Sequence, residues 1–486
     1  MVESRPIELE ILSLAIGAAR TGIGVPVTVS DLAYSTADVR PGTLFFCVPG
    51  SSADGHDFAA EAVARGAVAL VCERPLDLPV AQLLVPDARV AMARAAGAFF
   101  GEPTRTLAVA AVTGTNGKTT TAFLLFSLLA AAGRRPGLLG TIECRVGGER
   151  RPVVHTTPEA IDLQRALREM LDAGDESCAM EASSHAAELH RLDGVRFACL
   201  VFTNLTQDHL DYHRSMEEYF QAKARLFTSA MSDRAVVNHD SAEGRRLAGS
   251  GLPTVTYGLD AGADVRATDV RTTREGLSFR VGDLEVRSAL HGLFNVENCL
   301  ATLATARELG IADENTVRGI GEVRGVPGRV EAVEAGQEFL VMVDYAHTPD
   351  SLENVLRTTR PLASGRLIVV FGCGGDRDRA KRRLMGRVAA ALADLAVITS
   401  DNPRSEDPLA IVAEIEAGAV GSDGAYVVEV DRRAAIRLAV REAHAGDVVV
   451  IAGKGHEMYQ ELADRTIAFD DREVSAEEIR ALRGAT

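Results

Sequence analysis

Long apolar runs are missing from this sequence: none of its 486 residues lies in a stretch of the ~18 consecutive apolar side chains that a membrane-crossing helix requires. The opening segment, MVESRPIELEILSLAIGAAR, is acidic ahead of its apolar part and lacks the basic start of a secretion signal, so a cytoplasmic protein is expected. Excess positive charge is missing too. A net charge of −16 and a pI of about 5.3 argue against nucleic acid as the main partner, but a local basic cluster could still hold a phosphorylated small molecule. The seven cysteines (Cys47, Cys72, Cys144, Cys178, Cys199, Cys299 and Cys373) are odd in number and scattered, with no CxxC pair. That pattern excludes a disulfide framework and a zinc site, and each cysteine is expected to be a small buried apolar residue. Internal repeats and low-complexity tails are also absent.

Lysine is nearly absent. Of 52 Lys plus Arg residues only four are lysine (Lys118, Lys223, Lys381 and Lys454), which leaves 48 arginines. Where either base would serve, this chain uses arginine. The surviving lysines are therefore expected where a compact ammonium or an amine nucleophile is needed, and all four fall in motif-like stretches.

What remains is ordinary globular composition, 47% hydrophobic and 25% charged, in a chain too long for one core. The patterning predicts three α/β domains: residues 1–104, 105–325 and 326–486. The first has short apolar runs at 25–29, 43–48, 67–72 and 82–85 and an alanine-rich helix over 89–100. The second starts with a strand at 107–112, a glycine turn and a helix over 119–132, with further strands at 177–181, 197–203 and 235–238. That alternation predicts a parallel sheet. Residues 253–290 read as a small antiparallel appendage. Beyond the linker at 324–329, strands at 339–344, 366–371, 395–399, 426–429 and 447–452 alternate with helices and predict an open, Rossmann-like sheet.

The strongest local signal is Thr113-Gly114-Thr115-Asn116-Gly117-Lys118-Thr119-Thr120, between a strand and a helix. Glycines there turn backbone N–H groups toward phosphates, the helix start favours negative charge, Lys118 reaches the terminal phosphates, and Thr119 is placed for Mg²⁺. It is a variant phosphate loop, because Val112 stands where GxxxxGK[ST] has its first glycine. Met180-Glu181-Ala182-Ser183-Ser184-His185 ends another strand, where Glu181 is either a solvated acid at the strand end or, since ligands bind at the carboxyl ends of such strands, a Mg²⁺ ligand facing the phosphates. A third stretch, Thr203 to His213 (TNLTQDHLDYH), concentrates two acids and two histidines, and an amphipathic helix carrying Lys223 follows it.

Taken in order, GTNGKTT, MEASSH, TNLTQDHLDYH, AKARLF, HGLFNVEN, VDYAHTPD and FGCGGDRD resemble the Mur ligases, which build the peptide stem of peptidoglycan, with folylpolyglutamate synthase as a cousin. The resemblance covers essentially the whole chain. It implies an ATP-dependent amide ligase with Mg²⁺, in which Gly114 to Thr120, Asn298, Arg329 and Asp344 contact ATP. Thr119, Glu181, His209 and Lys223 would hold magnesium, Lys223 as a carbamate on its ε-amine, and Lys118, Glu181, His209 and Lys223 form the implied catalytic set. Ser35, Thr156, Thr157, Ser183 and Arg191 match positions that hold a UDP-linked muramoyl dipeptide. Two nearby positions depart from the family: Thr36 stands where it usually has arginine, and Leu189 replaces a polar residue of some relatives.

Asp401-Asn402-Pro403-Arg404, with Arg377, Gly453 and Glu457, resembles the site for meso-diaminopimelate. There the planar fork of Arg404 suits the distal carboxylate. Lysine, the usual alternative amino acid, lacks that carboxylate. The partners implied are thus small molecules, with no nucleic acid or membrane, and the protein is expected to be a monomer. A lysine-adding ligase, a folylpolyglutamate synthase and a nucleotide-dependent binding switch stay open at this level.

Overall fold

The computed structural model describes residues 6–21, 26–50, 53–209, 212–273, 275–422 and 424–484. Val25 of the first apolar run, and Leu210 and Asp211 of the histidine-rich stretch, lie outside the described residues.

Three sheets organise the chain. The strands Thr43–Phe46 and Ala67–Cys72 anchor a five-stranded sheet in the first hundred residues, parallel except for Ala19–Thr21 at one edge. The middle sheet has nine strands. Its parallel part runs, in spatial order, Pro136–Leu139, Ser177–Glu181, Ala108–Thr113, Cys199–Phe202, Ala235–Asn238, Thr254–Gly258 and Val265–Arg266. The third sheet has six strands: Leu340–Asp344, Val448–Ala452, Leu367–Phe371, Leu395–Ile398 and Ala425–Val428 lie side by side and parallel, and Glu331–Ala332 adds an antiparallel edge beside Leu340–Asp344.

Ala108–Thr113 shows why the middle sheet is buried on both faces. Ala110 and Val112 point into one apolar layer with the helices Lys118–Ala131 and Leu293–Glu308, while Val109 and Ala111 point into another with Ala160–Asp172. Alternation at period 2, with apolar residues at both phases, forces helices onto both faces. Leu124, Leu125, Leu128 and Leu129 clamp the helix after the phosphate loop onto this layer. Full burial of each contributes roughly 1.5–3 kcal/mol, so the helix start is a fixed point rather than a fraying end.

Chain order reverses at Ala108–Thr113. The next strand, Pro136–Leu139, lies two places to one side, and Cys199–Phe202 later pairs on the other side. Loops leaving the carboxyl ends of strands diverge at such a switch point, and a ligand crevice opens there.

Two expectations need correction. Within 253–290 only Thr268–Thr273, Gly276–Val281 and Leu284–Ser288 form a separate antiparallel sheet; Thr254–Gly258 and Val265–Arg266 extend the parallel one. The middle sheet is also not wholly parallel, since the hairpin Cys144–Val146 and Glu149–Arg151 pairs antiparallel to Pro136–Leu139. These strands are two to six residues long, too short for a pattern to reveal their partner. Among the cysteines six are buried, but Cys144, on that edge hairpin, is only half-buried.

Candidate active site

The phosphate loop is held by its neighbours rather than by itself. Gly114 and Gly117 have φ of +145° and +84°, and a Cβ on Gly114 would stand 1.9 Å from Thr203 Oγ1. Only glycine meets both demands. Asn204 supplies its carbonyl to Thr115 N (2.9 Å) and its Oδ1 to Asn116 N (2.9 Å), while Thr203 Oγ1 donates to Asn116 O (2.6 Å). Lys118 Nζ donates to Gly114 O (3.0 Å) and Thr115 O (2.8 Å). Burial lowers its pKa, and Glu181 and Asp208 oppose that shift.

Glu181 is 1% exposed. It accepts from Thr141 N (2.7 Å), Thr141 Oγ1 (3.1 Å) and Thr119 Oγ1 (3.1 Å), yet makes no ion pair among the described residues. A buried carboxylate met only by neutral donors is costly, and a divalent cation would offset it. Among the described residues no three His, Cys, Asp or Glu side chains gather as a ready metal cluster.

Lys223 lines the same cavity as Glu181. It is buried, its Nζ donates to Gly114 O (2.8 Å) and lies 4.5 Å from the Tyr219 ring centre, and burial lowers its pKa well below the usual lysine value. A neutral amine is the form that adds CO₂. His209 has φ +54° and a pKa lowered by burial to about 4, so its ring is neutral and able to ligate a metal at ordinary pH.

Most of the described site residues line two cavities that share Asp208, His209, Tyr345, His347 and Thr348. The larger, about 970 Å³, is lined by Thr115 to Thr120, Thr156, Thr157, Glu181, Ser183, Arg191, His209, Lys223, Asn298, Arg329 and Asp344. Gly114 is not among its lining residues, but its carbonyl accepts from both Lys118 and Lys223. Arg329, from the third unit, donates to Thr119 Oγ1 (3.1 Å), and its buried Nε has no hydrogen-bond partner among the described residues, an orphan donor that an anionic phosphate would satisfy. Asn298 and Asp344 are already engaged: Asn298 with Thr121 and Asn295, Asp344 with the N–H groups of Val330 and Ala346.

The smaller cavity, about 380 Å³, is lined by Arg377, Asp401, Asn402, Arg404, Gly453 and Glu457. Asn402 Nδ2 donates to Glu457 Oε2 (2.9 Å), and Lys454 Nζ bridges Asn402 Oδ1 (2.9 Å) and Glu457 Oε2 (3.2 Å). Arg404 uses Nε on Glu461 (2.8 Å) and Nη1 on Gly375 O (2.8 Å), which leaves Nη2 without a partner among the described residues. Two expected residues stand apart. Ser35 lines neither cavity and caps the turn Thr36–Asp38 through Ala37 N, and Pro403 lines neither cavity, its carbonyl instead close to Gly375. Thr141, His155, Lys381 and Tyr459 line the cavities without having been assigned roles from the sequence. For Lys381 the signal was lysine scarcity alone.

Family models match three consecutive stretches: "Mur ligase family, catalytic domain" over 28–102, "Mur ligase middle domain" over 112–306 and "Mur ligase, glutamate ligase domain" over 328–455. The chain belongs to the Mur ligase family. Members of this family are ATP-dependent ligases that form amide bonds. This Mur ligase is similar to the UDP-N-acetylmuramoyl-L-alanyl-D-glutamate--2,6-diaminopimelate ligase of Geobacillus thermodenitrificans, with 48% identity over 93% of this chain and 95% of the relative. It is 49% identical to the ligase of the same name from Solibacter usitatus, over 93% and 94% of the two chains. A solved structure of an enzyme bearing that name superposes with a TM-score of 0.68 at 36% identity, covering 94% of this chain and 95% of that one. No helix among the described residues is long and apolar enough to cross a membrane.

One stability prediction arises beside this site. His456, packed 5.1 Å from the Tyr345 ring, has its pKa lowered by burial to about 4, and its Nδ1 has no hydrogen-bond partner among the described residues. The unfolded chain takes up this proton near pH 6.5, whereas the folded chain resists until about 4. Stability therefore falls as pH drops through that window, by at most about 3 kcal/mol from this group. His456→Gln is expected to flatten the decline in melting temperature between pH 7 and 5, and an unchanged slope would contradict the assignment.

Proposed function

We propose that this Mur ligase joins meso-2,6-diaminopimelate to the D-glutamate side-chain carboxylate of UDP-N-acetylmuramoyl-L-alanyl-D-glutamate, with ATP converted to ADP and phosphate. The observation that carries this reading is the second cavity, lined both by Asp208 and His209 beside the phosphate loop and by Arg404 and Glu457. An amino acid lying in it can present an amine toward the phosphate side while a second carboxylate and ammonium meet Arg404 and Glu457. Near-half identity to ligases bearing that name supports the same substrate.

In this reading Lys118 and the loop N–H groups hold the ATP phosphates, and Arg329 adds charge from the third unit. The substrate carboxylate oxygen attacks the γ-phosphorus, the bond to ADP breaks, and an acyl phosphate forms. The nitrogen lone pair of diaminopimelate then attacks the acyl carbon. The carbon–oxygen bond to phosphate breaks, its electron pair leaves with phosphate, and the amine proton passes to that phosphate. The protein's part is positioning and charge compensation. Thr119, Glu181, His209 and carbamylated Lys223 would hold Mg²⁺, which offsets phosphate charge when bound. Thr156, Thr157, Ser183 and Arg191 are assigned to the muramoyl dipeptide and Ser35 to its uridine end. Asn298 and Asp344 are assigned to adenosine, and Arg377, Gly453 and the segment 401–404 to the amino acid.

A carboxylate arriving at Arg404 meets the open Nη2 first; a bidentate contact requires Arg404 to release Glu461 or Gly375. Arg404→Ala is expected to lower kcat/KM for diaminopimelate by about 10²-fold, since charge-assisted hydrogen bonds contribute roughly 1.5–3 kcal/mol each. KM for ATP should stay the same. Steady-state kinetics with each substrate varied in turn decide the matter, and an unchanged value for diaminopimelate would remove Arg404 from the site.

A further inference from the structure

Five residues line both cavities: Asp208, His209, Tyr345, His347 and Thr348. A side chain at this junction serves the phosphate side and the amino-acid side together, and the amine of the incoming amino acid has to pass it. That amine arrives at neutral pH as an ammonium, which has no lone pair. One proton has to leave before attack, so the junction is where a base is needed.

The five differ in what they can offer. Thr348 spends its hydroxyl on the capping box with Ser351 (2.8 Å) at the start of the helix Pro349–Thr359. The Tyr345 phenol stays protonated, its pKa pushed up by burial to about 12. Asp208 accepts from the N–H of His209 (2.8 Å), and a carboxylate is a weak base. His209 is assigned to the metal in the reading above.

His347 is built differently. Its Nδ1 lies 2.8 Å from Tyr345 O. A carbonyl can only accept, so Nδ1 carries the proton and the lone pair of the neutral ring sits on Nε2. Nε2 makes no hydrogen bond among the described residues. The half-buried ring is fixed between the end of the strand Leu340–Asp344 and the capped helix, with its centre 4.6 Å from that of the Tyr345 ring. Burial and the charge of Lys381 lower its pKa, Asp208 and the bond to Tyr345 O oppose that, and Arg329 adds to the lowering, so the ring rests neutral.

We propose that His347 is a further catalytic residue, whose Nε2 takes the first proton from the ammonium of diaminopimelate and so frees the lone pair that attacks. This rests on the ligase reading above. One N–H bond of the ammonium breaks, its electron pair stays on nitrogen, and an N–H bond forms at Nε2. Of the two protons left, one passes to the departing phosphate and one stays on the amide nitrogen. The imidazolium then returns its proton to water.

His347→Asn tests this, because asparagine can keep a donor for Tyr345 O while removing Nε2. With UDP-N-acetylmuramoyl-L-alanyl-D-glutamate, ATP and meso-diaminopimelate, kcat is expected to fall about 10²-fold, with KM for ATP within about twofold. The deficit should shrink between about pH 7 and 9, where free amine grows without a base. Hydroxylamine, whose nitrogen is already neutral at pH 7, should intercept the acyl phosphate and give hydroxamate at close to the wild-type rate. Hydroxamate falling together with the amide would move the defect to the first step or to folding and overturn the proposal. So would an unchanged kcat, a deficit that ignores pH, or a raised KM for diaminopimelate at unchanged kcat. Wild-type protein run in parallel separates the two levels: if it yields neither amide nor hydroxamate, the ligase reading itself fails and this inference falls with it.

Discussion

Lys118→Ala is expected to lower kcat for ligation by about 10³-fold without unfolding the protein. The size follows from the position: its ammonium rests on the carbonyls of Gly114 and Thr115, where the terminal phosphates of ATP would displace it. Removing one preorganised charge from a phosphoryl-transfer site costs about 10²–10³ or more. The loop itself should survive. Asn204 and Thr203 hold it through Thr115 and Asn116, and the apolar layer beneath the helix Lys118–Ala131 is untouched. A melting temperature within about 2 °C of wild type alongside the lost rate would assign the loss to charge. Activity within tenfold of wild type would contradict the role of Lys118.

The second large effect concerns Lys223. If its amine carries CO₂ as a carbamate, the side chain ends in an anionic oxygen ligand, which arginine cannot supply. Lys223→Arg is therefore expected to lose about 10³-fold in kcat although it keeps a cation's charge and length. The sign of the pH dependence follows from burial, which lowers the amine's pKa. The neutral form gains as pH rises, so at fixed CO₂ the carbamate should accumulate from acid toward neutral pH. Wild-type activity should fall when CO₂ is stripped from the buffer and return with bicarbonate. Activity indifferent to both would mean that Lys223 acts as a plain amine.

Much of this was legible in the sequence because some signals are local. A turn that needs positive φ at Gly114 and Gly117, followed by Lys118 on a helix, specifies a phosphate loop in eight residues. The apolar strands of the middle and third sheets were legible for the same reason: burial on both faces leaves a short continuous apolar run. What the sequence could not reveal is long-range. Glu181 meets Thr141, forty residues away, and the loop is braced by Asn204, some ninety residues on. Thr254–Gly258 looks like an antiparallel strand because its partner, Ala235–Asn238, is not encoded in its own pattern. Arg404 was legible as a fork, but not as one already bonded to Glu461 and Gly375, since those contacts depend on the third sheet being assembled. The lysine count was the most productive compositional signal. It pointed to Lys381 and Lys454, whose surroundings only the fold reveals.

The most direct measurement is ligation itself: purified protein, ATP, Mg²⁺ and UDP-N-acetylmuramoyl-L-alanyl-D-glutamate, with meso-diaminopimelate and L-lysine offered in parallel and products read by mass. The account predicts an amide product with diaminopimelate, one ADP released per bond, and little or none with lysine. Product chiefly with lysine, or no product from folded, ATP-binding protein, would contradict it.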